Sequence, residues 1–183
     1  MRYGDDELYS RYLSGDASAG DSLMLRYGDA LTAYLNAFLH NAQDAEDLML
    51  DCFTVMLVKK PAIRDGHFQP YLFRMARYKA NRLWKVRFRR REFSLDESLL
   101  SDGASPEETV RTGERNMLLN RCLNRIPPQY REALWLVYGM EMSYAQAAEI
   151  KKCGTGRIHS LLDEGKKRMR RELEKEGITH ADL

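Results

Sequence analysis

The chain has 183 residues, 44% of them hydrophobic and 31% charged, which allows one or two packed domains in a soluble protein. No apolar run is long enough to span a membrane, and the N-terminal Met-Arg-Tyr-Gly-Asp-Asp-Glu lacks a signal-peptide core, so no membrane insertion and a cytoplasmic location are expected. The net charge of +2 hides a segregation: Asp44, Glu46, Asp47 and Asp51 form an acidic block, Phe68 to Arg91 is basic, Glu92 to Glu114 is acidic again, and Lys166 to Arg171 is basic. Alternating blocks point to several contact surfaces rather than one uniform field.

Taken in order, Asp5 to Leu13 is a short amphipathic helix that Gly15-Asp16 breaks. From Asp16 a long apolar stripe runs through Leu23, Tyr27, Leu31, Tyr34, Leu35 and Phe38 and ends near His40-Asn41. Asp44 is placed to cap a third helix, which continues to about Lys59 with Leu48, Met49, Leu50, Phe53, Val55, Met56, Leu57 and Val58 apolar on more than one side. A helix apolar nearly all round is either deeply buried or covered by a partner.

Lys60 to His67 is a loop, and a basic helix follows it. Its apolar positions are Leu72, Met75, Ala76, Leu83 and Val86, and between them stand Arg74, Arg77, Lys79, Arg82, Lys85 and the arginines to Arg91, interleaved with Tyr71, Tyr78 and Trp84. Such a helix suits nucleic acid: the cations meet phosphate, and the rings can stack on unpaired bases. A solvated or lipid-facing basic helix is the competing reading.

Glu92 to Ser105 loses periodicity and gathers Ser, Asp and Gly before Pro106, which marks a linker and a domain boundary. Helix resumes at about Glu107 with Leu119, Leu123 and Ile126 as its apolar edge. Pro127-Pro128 stops it and opens another helix carrying Leu134, Val137 and Tyr138, with Gly139 as its stop. Ser143 and Gln146 match a capping box, Lys151 to Gly154 is a short turn, and Ile158, Leu161 and Leu162 mark a last helix. Two helices across a turn of about four residues form a helix-turn-helix pattern, with Thr155, Arg157, His159 and Ser160 where base edges are read. No segment alternates with a period of two, so the chain is expected to be all-α.

Enzyme chemistry finds no support. His40, His67, His159 and His180 are scattered, and no His-x-x-x-His, Cys-His pair or glycine-rich phosphate loop occurs. Cys153 and His159 lack the two further ligands that zinc requires. The three cysteines, Cys52, Cys122 and Cys153, read as small buried hydrophobes in a reducing compartment. No metal and no cofactor is expected.

Two motif sets carry a family likeness. Asp44-Ala45-Glu46-Asp47-Leu48, Phe53, Tyr71-Leu72-Phe73-Arg74-Met75-Ala76-Arg77 and the arginine run resemble region 2 of sigma-70 family factors of the extracytoplasmic-function (ECF) group. Ile126-Pro127-Pro128-Gln129-Tyr130-Arg131-Glu132 and Met142-Ser143-Tyr144-Ala145-Gln146-Ala147-Ala148-Glu149-Ile150 resemble region 4. The likeness implies two helical domains joined by a flexible linker: a region 2-like bundle over residues 1–91, a linker over 92–113, and a region 4-like helix-turn-helix domain over 114–183. It implies a factor that binds bacterial core RNA polymerase and promoter DNA and is sequestered by an anti-sigma factor. By the same likeness Asp44, Glu46, Asp47, Leu48, Asp51 and Phe53 contact the polymerase. Arg64, His67, Tyr71, Arg74, Arg77, Tyr78, Arg82 and Lys85 hold the opened −10 element. Thr155, Arg157, His159 and Ser160, with Lys166 and Arg170 near phosphates, engage the −35 element.

The sequence departs from the family pattern at Leu50 (commonly Gln), Tyr78 (Asn), Arg82 (Asp) and Lys152 (Gly), and Leu161, Asp163 and Glu164 stand where basic residues are frequent. Two rival readings remain beside the sigma factor: a stand-alone helix-turn-helix regulator, and a sigma-like protein that binds polymerase without reading promoters.

Overall fold

A computed structural model describes the backbone of residues 3–93 and 114–178 and the side chains of residues 3–86 and 118–178. Among the described residues every regular element is helical. The chain divides into two compact units, Met1–Pro106 and Glu107–Leu183.

The first unit is built from four helices. Helix α1 spans Asp5–Leu13 and α2 spans Ala17–Leu39. Asp16 caps α2 by accepting from the Ser18 amide, and Arg11 reaches back to the same carboxylate at 2.6 Å, which fixes the corner between them. His40 ends α2 in the left-handed conformation (φ 53°). Helix α3 spans Ala42–Lys59. Its cap is Asn41, which accepts from the Asp44 amide; Asp44 sits inside the first turn rather than at the cap, because the chain leaves α2 one residue past His40 and enters α3 at once. Helix α4 spans Phe68–Phe93.

The four helices close on Leu23, Leu31, Leu35, Phe53, Met56, Phe68, Leu72 and Phe73, all with almost no exposed surface. Each such side chain contributes ~1.5–3 kcal/mol by leaving water. Cys52 belongs to this core, and burial pushes its thiol up to about 12, so it stays a neutral hydrophobe. The buried face of α4 is Phe68, Leu72, Phe73, Ala76 and Ala80, a stripe that includes Phe73 and stops short of Val86, which is exposed. The helix runs on past the core, and apolar spacing alone does not show where the core ends.

The second unit holds α5 (Glu114–Arg125), α6 (Pro128–Leu134), α7 (Tyr144–Lys151) and α8 (Thr155–Lys175). The onset expected at about Glu107, and the linker from residue 94 to 113, lie outside the described residues. On α5 the buried positions are Cys122 and Ile126, whereas Leu119 is exposed. Pro128 opens α6 as its first residue, where its missing N–H costs nothing. Gly139 is not a helix stop of the usual kind. The chain passes from α6 into a π-helical turn, Trp135–Gly139, closed by the Met140 amide on the Trp135 carbonyl at 2.9 Å, and the left-handed residue that follows is Glu141. The Ser143–Gln146 capping box forms both reciprocal bonds, at 3.2 and 2.9 Å.

Helix α8 packs on α6 and α7 through Ile158, Leu161, Leu162 and Gly165. Leu161 is thus core; its apolar character serves packing and takes nothing from a reading surface. A buried ion pair ties α6 to α7: Lys151 pairs with Glu132, with 7% and 6% of their side chains exposed. Arg131, also buried, donates to the Asn124 carbonyl at 3.3 Å and anchors the end of α5.

Candidate nucleic-acid interface and partner surface

Helix α3 turns Ala45, Cys52, Phe53 and Met56 inward. Glu46, Asp47, Leu50, Asp51, Thr54 and Val58 remain on its outer side, Leu50 47% and Val58 74% exposed. The expected contact residues therefore divide. Glu46, Asp47 and Asp51 are exposed and Asp44 and Leu48 half-buried, but Phe53 is 2% exposed and is a core residue, unable to touch a partner directly. The outer face is acidic toward its start and apolar toward its end. Asp51 is also engaged within the unit, by Lys79 of α4.

On α4, Tyr71, Arg74, Tyr78, Arg82 and Lys85 recur at spacings of three, four, four and three, which places them along one face of the helix. Arg74 lies over the Tyr71 ring at 5.4 Å, while Tyr78 is 64% and Trp84 54% exposed. Arg77 flanks the stripe, half-buried. Lys79 is the base turned away from it, toward Asp51. Arg64 and His67 come from the loop that precedes α4, Arg64 exposed and His67 half-buried. Tyr71, Tyr78 and a line of cations thus share one face of α4, which the loop carrying Arg64 and His67 leads into, a combination suited to a phosphate backbone and unpaired bases together.

In the second unit the turn between α7 and α8 is closed by Lys152 in the left-handed conformation (φ 52°, ψ 51°), where glycine would be unstrained. Helix α8 starts at Gly154, which offers no side-chain cap. Thr155, Arg157, His159 and Ser160 are exposed on its first two turns, and the His159 ring meets Tyr144 of α7 edge-on at 4.5 Å. Lys166 and Arg170 are exposed but lie about 16 and 22 Å further along the axis than Thr155, so these two do not converge on one groove edge with it. Lys166 leans over the Tyr138 ring at 5.1 Å, and its hydrogen bond with Tyr138 raises its pKa.

Three residues that sequence reading does not single out take part in this surface. Asp6, Tyr9 and Tyr12 of α1 bond to the backbone around the loop before α4. They lie 45 to 60 residues away in sequence, beyond any local pattern.

The family profile described as Sigma-70, region 4 matches residues 116–169. The RNA polymerase sigma-H factor of Pseudomonas aeruginosa is 27% identical over 169 residues, covering 86% of this chain and 88% of that protein. The ECF RNA polymerase sigma factor SigW of Bacillus subtilis is 22% identical over 172 residues, covering 87% and 91%. In fold, the chain resembles CnrH in its complex with the cytosolic domain of CnrY, with a TM-score of 0.66 at 20% identity over 93% of this chain and 97% of that one. It resembles equally the sigma factor RpoE of Bartonella quintana in its complex with the anti-sigma factor NepR, with a TM-score of 0.67 at 23% identity over 84% and 96%.

The chain is all-α among its described residues and divides into two units, the second of which carries the match to the sigma-70 region 4 profile. Its relatives match it across both units. The chain is similar to ECF sigma factors of the sigma-70 family over most of its length.

Proposed function

We propose that this chain is a sigma factor that binds bacterial core RNA polymerase in the cytoplasm and directs it to promoters, making and breaking no bond itself. The observation that carries this reading is the outer side of α3. An exposed strip holding Asp47, Leu50, Asp51 and Val58 has no use in a stand-alone helix-turn-helix regulator, and it sits in the same unit as the cation-and-ring face of α4. Apolar side chains left in water on an otherwise acidic strip fit a partner surface.

In this reading Glu46, Asp47, Leu48 and Asp51 meet the polymerase, and Phe53 acts only by holding α3 on its core. Arg64, His67, Tyr71, Arg74, Arg77, Tyr78, Arg82 and Lys85 hold the opened −10 strand, each stacked base contributing ~1–3 kcal/mol. Thr155, Arg157, His159 and Ser160 read the −35 duplex. An anti-sigma partner is supported by the solved complex of RpoE with NepR.

The test is co-elution of the purified chain with core polymerase, followed by transcription from a promoter library. Co-elution with initiation is expected. Asp47→Lys should weaken polymerase binding by about tenfold through like-charge repulsion. Arg74→Ala with Arg77→Ala should spare that binding and reduce promoter opening. Failure to co-elute, with the chain folded, refutes the proposal and leaves the stand-alone regulator; co-elution without initiation leaves a polymerase binder that reads no promoter.

A further inference from the structure

The loop between α3 and α4 is held from outside by α1. The Tyr12 hydroxyl donates to the Leu57 carbonyl at 2.7 Å, the Tyr9 hydroxyl donates to the Pro61 carbonyl at 2.7 Å, and the Gly66 amide donates to Asp6 Oδ2 at 2.7 Å. Asp6, Tyr9 and Tyr12 are spaced by three, so one side of one short helix supplies all three groups. Every bond goes to loop or helix-end backbone, none to a loop side chain. The bonds at Pro61 and Gly66 bracket residues 62–65, of which Ala62, Arg64 and Asp65 are exposed.

Both ends of that tip are conformationally special. Lys60 is left-handed (φ 44°), its ammonium 4.9 Å above the Tyr12 ring, and Gly66 is left-handed (φ 75°). Pro61 between them has its φ fixed by its ring. The Tyr9 ring packs on Phe68, the first residue of α4, at 5.3 Å. Burial raises the Tyr9 phenol to about 12, so it remains a donor across the physiological range. A four-residue tip clamped at both ends by a third helix has far fewer accessible conformations than a loop tethered only by its own chain.

We propose that Asp6, Tyr9 and Tyr12 are positioning residues that brace the residue 62–65 tip, so that α1 sets how selectively the tip and the adjoining face of α4 read single-stranded DNA. The inference rests on the reading of this loop as a −10 contact. Its chemistry is that of preorganisation: a prefixed backbone discriminates between bases, whereas a loose one adapts to each.

Two measurements on the full chain test it. The first is hydrogen exchange of the Gly66 amide and its loop neighbours. Tyr9→Phe keeps the ring on Phe68 and removes only the hydroxyl; Asp6→Ala removes the acceptor, and Asp6→Asn restores one. Tyr9→Phe and Asp6→Ala are expected to speed loop exchange roughly five- to tenfold, the ratio that one net hydrogen bond corresponds to, with Asp6→Asn close to the parent. The second is base selection from a randomised single-stranded DNA pool by the chain bound to core polymerase. The same variants are expected to flatten selection, while polymerase binding stays unchanged and Arg64→Ala and His67→Ala also alter selection. Unchanged exchange in Tyr9→Phe and Asp6→Ala overturns the brace. Faster exchange with intact selection, in a chain where Arg64→Ala changes selection, overturns the link from brace to reading. No change of selection in Arg64→Ala or His67→Ala overturns the reading of the loop itself, and the proposal with it.

Discussion

The buried pair Glu132–Lys151 makes a strong and refutable stability prediction. Both side chains are more than nine-tenths buried, so each ion has given up nearly all its water and is stabilised by the other. Lys151 has one further acceptor, the Gln129 carbonyl at 3.4 Å, too long to replace a carboxylate. Lys151→Met therefore takes the ammonium away from a buried carboxylate, a loss of ~3–5 kcal/mol. For a unit this small, with a urea slope of about 1 kcal/mol/M, that is a midpoint shift of about 3 M or more. Changing both partners, Glu132→Leu with Lys151→Met, removes the charge and leaves volume, and should lie within about 1–2 kcal/mol of the parent. The two tryptophans separate the units: Trp84 lies in the first and Trp135 in the second, so in a Trp84→Phe background Trp135 emission follows the second unit alone. A single-variant loss below about 1 kcal/mol would refute the desolvation argument. A double variant as unstable as the single would show that packing, not charge, carries the effect.

Gly20→Ala should destabilise the first unit by about 1–3 kcal/mol despite the better helix propensity, because the new Cβ would lie 2.8 Å from the Tyr12 ring that Leu57 holds in place; urea melts followed by Trp84 check this, and a raised midpoint refutes it. Lys152→Gly should stabilise the second unit by about 0.5–1 kcal/mol by relieving the left-handed backbone, read from Trp135 emission; no gain would mean that the lysine side chain offsets the strain. The hydrogen bond from Ser18, with that from Arg11, holds the Asp16 carboxyl below its ordinary value. A lowered folded-state pKa contributes stability that is present above the unfolded value, near 3.9, and is lost as pH falls through the folded one. Asp16→Asn should therefore flatten the acid limb of the first unit's stability below about pH 4, and an unchanged limb refutes the coupling.

Helix type and order were legible because apolar spacing in α2, α3 and α8 matches the faces these helices bury, and the Ser143–Gln146 box announces α7 directly. Boundaries of the core were not. Phe53 reads as a surface contact because its neighbours do, yet it points inward, and only packing decides that. Val86 and Leu119 continue an apolar rhythm past the last partner helix. Asn41 displaced Asp44 as the cap of α3 because either fits the local pattern, and the entry path from α2 selects between them. On the α4 surface the cations and rings were visible in composition. The support from Asp6, Tyr9 and Tyr12 was not, since hydrogen bonds spanning 45 to 60 residues leave no local signature.

The π-helical turn at Trp135–Gly139 holds one residue more than an α-turn would. A chain that lost a single residue here would close into plain α-helix and keep every hydrogen bond but the widened one. The same loss early in α8 would rotate all that follows by about 100° and bring Asp163 to the place of Leu162. The turn is thus a place where the lineage of this protein can gain or lose a residue while the faces of α7 and α8 stay in phase.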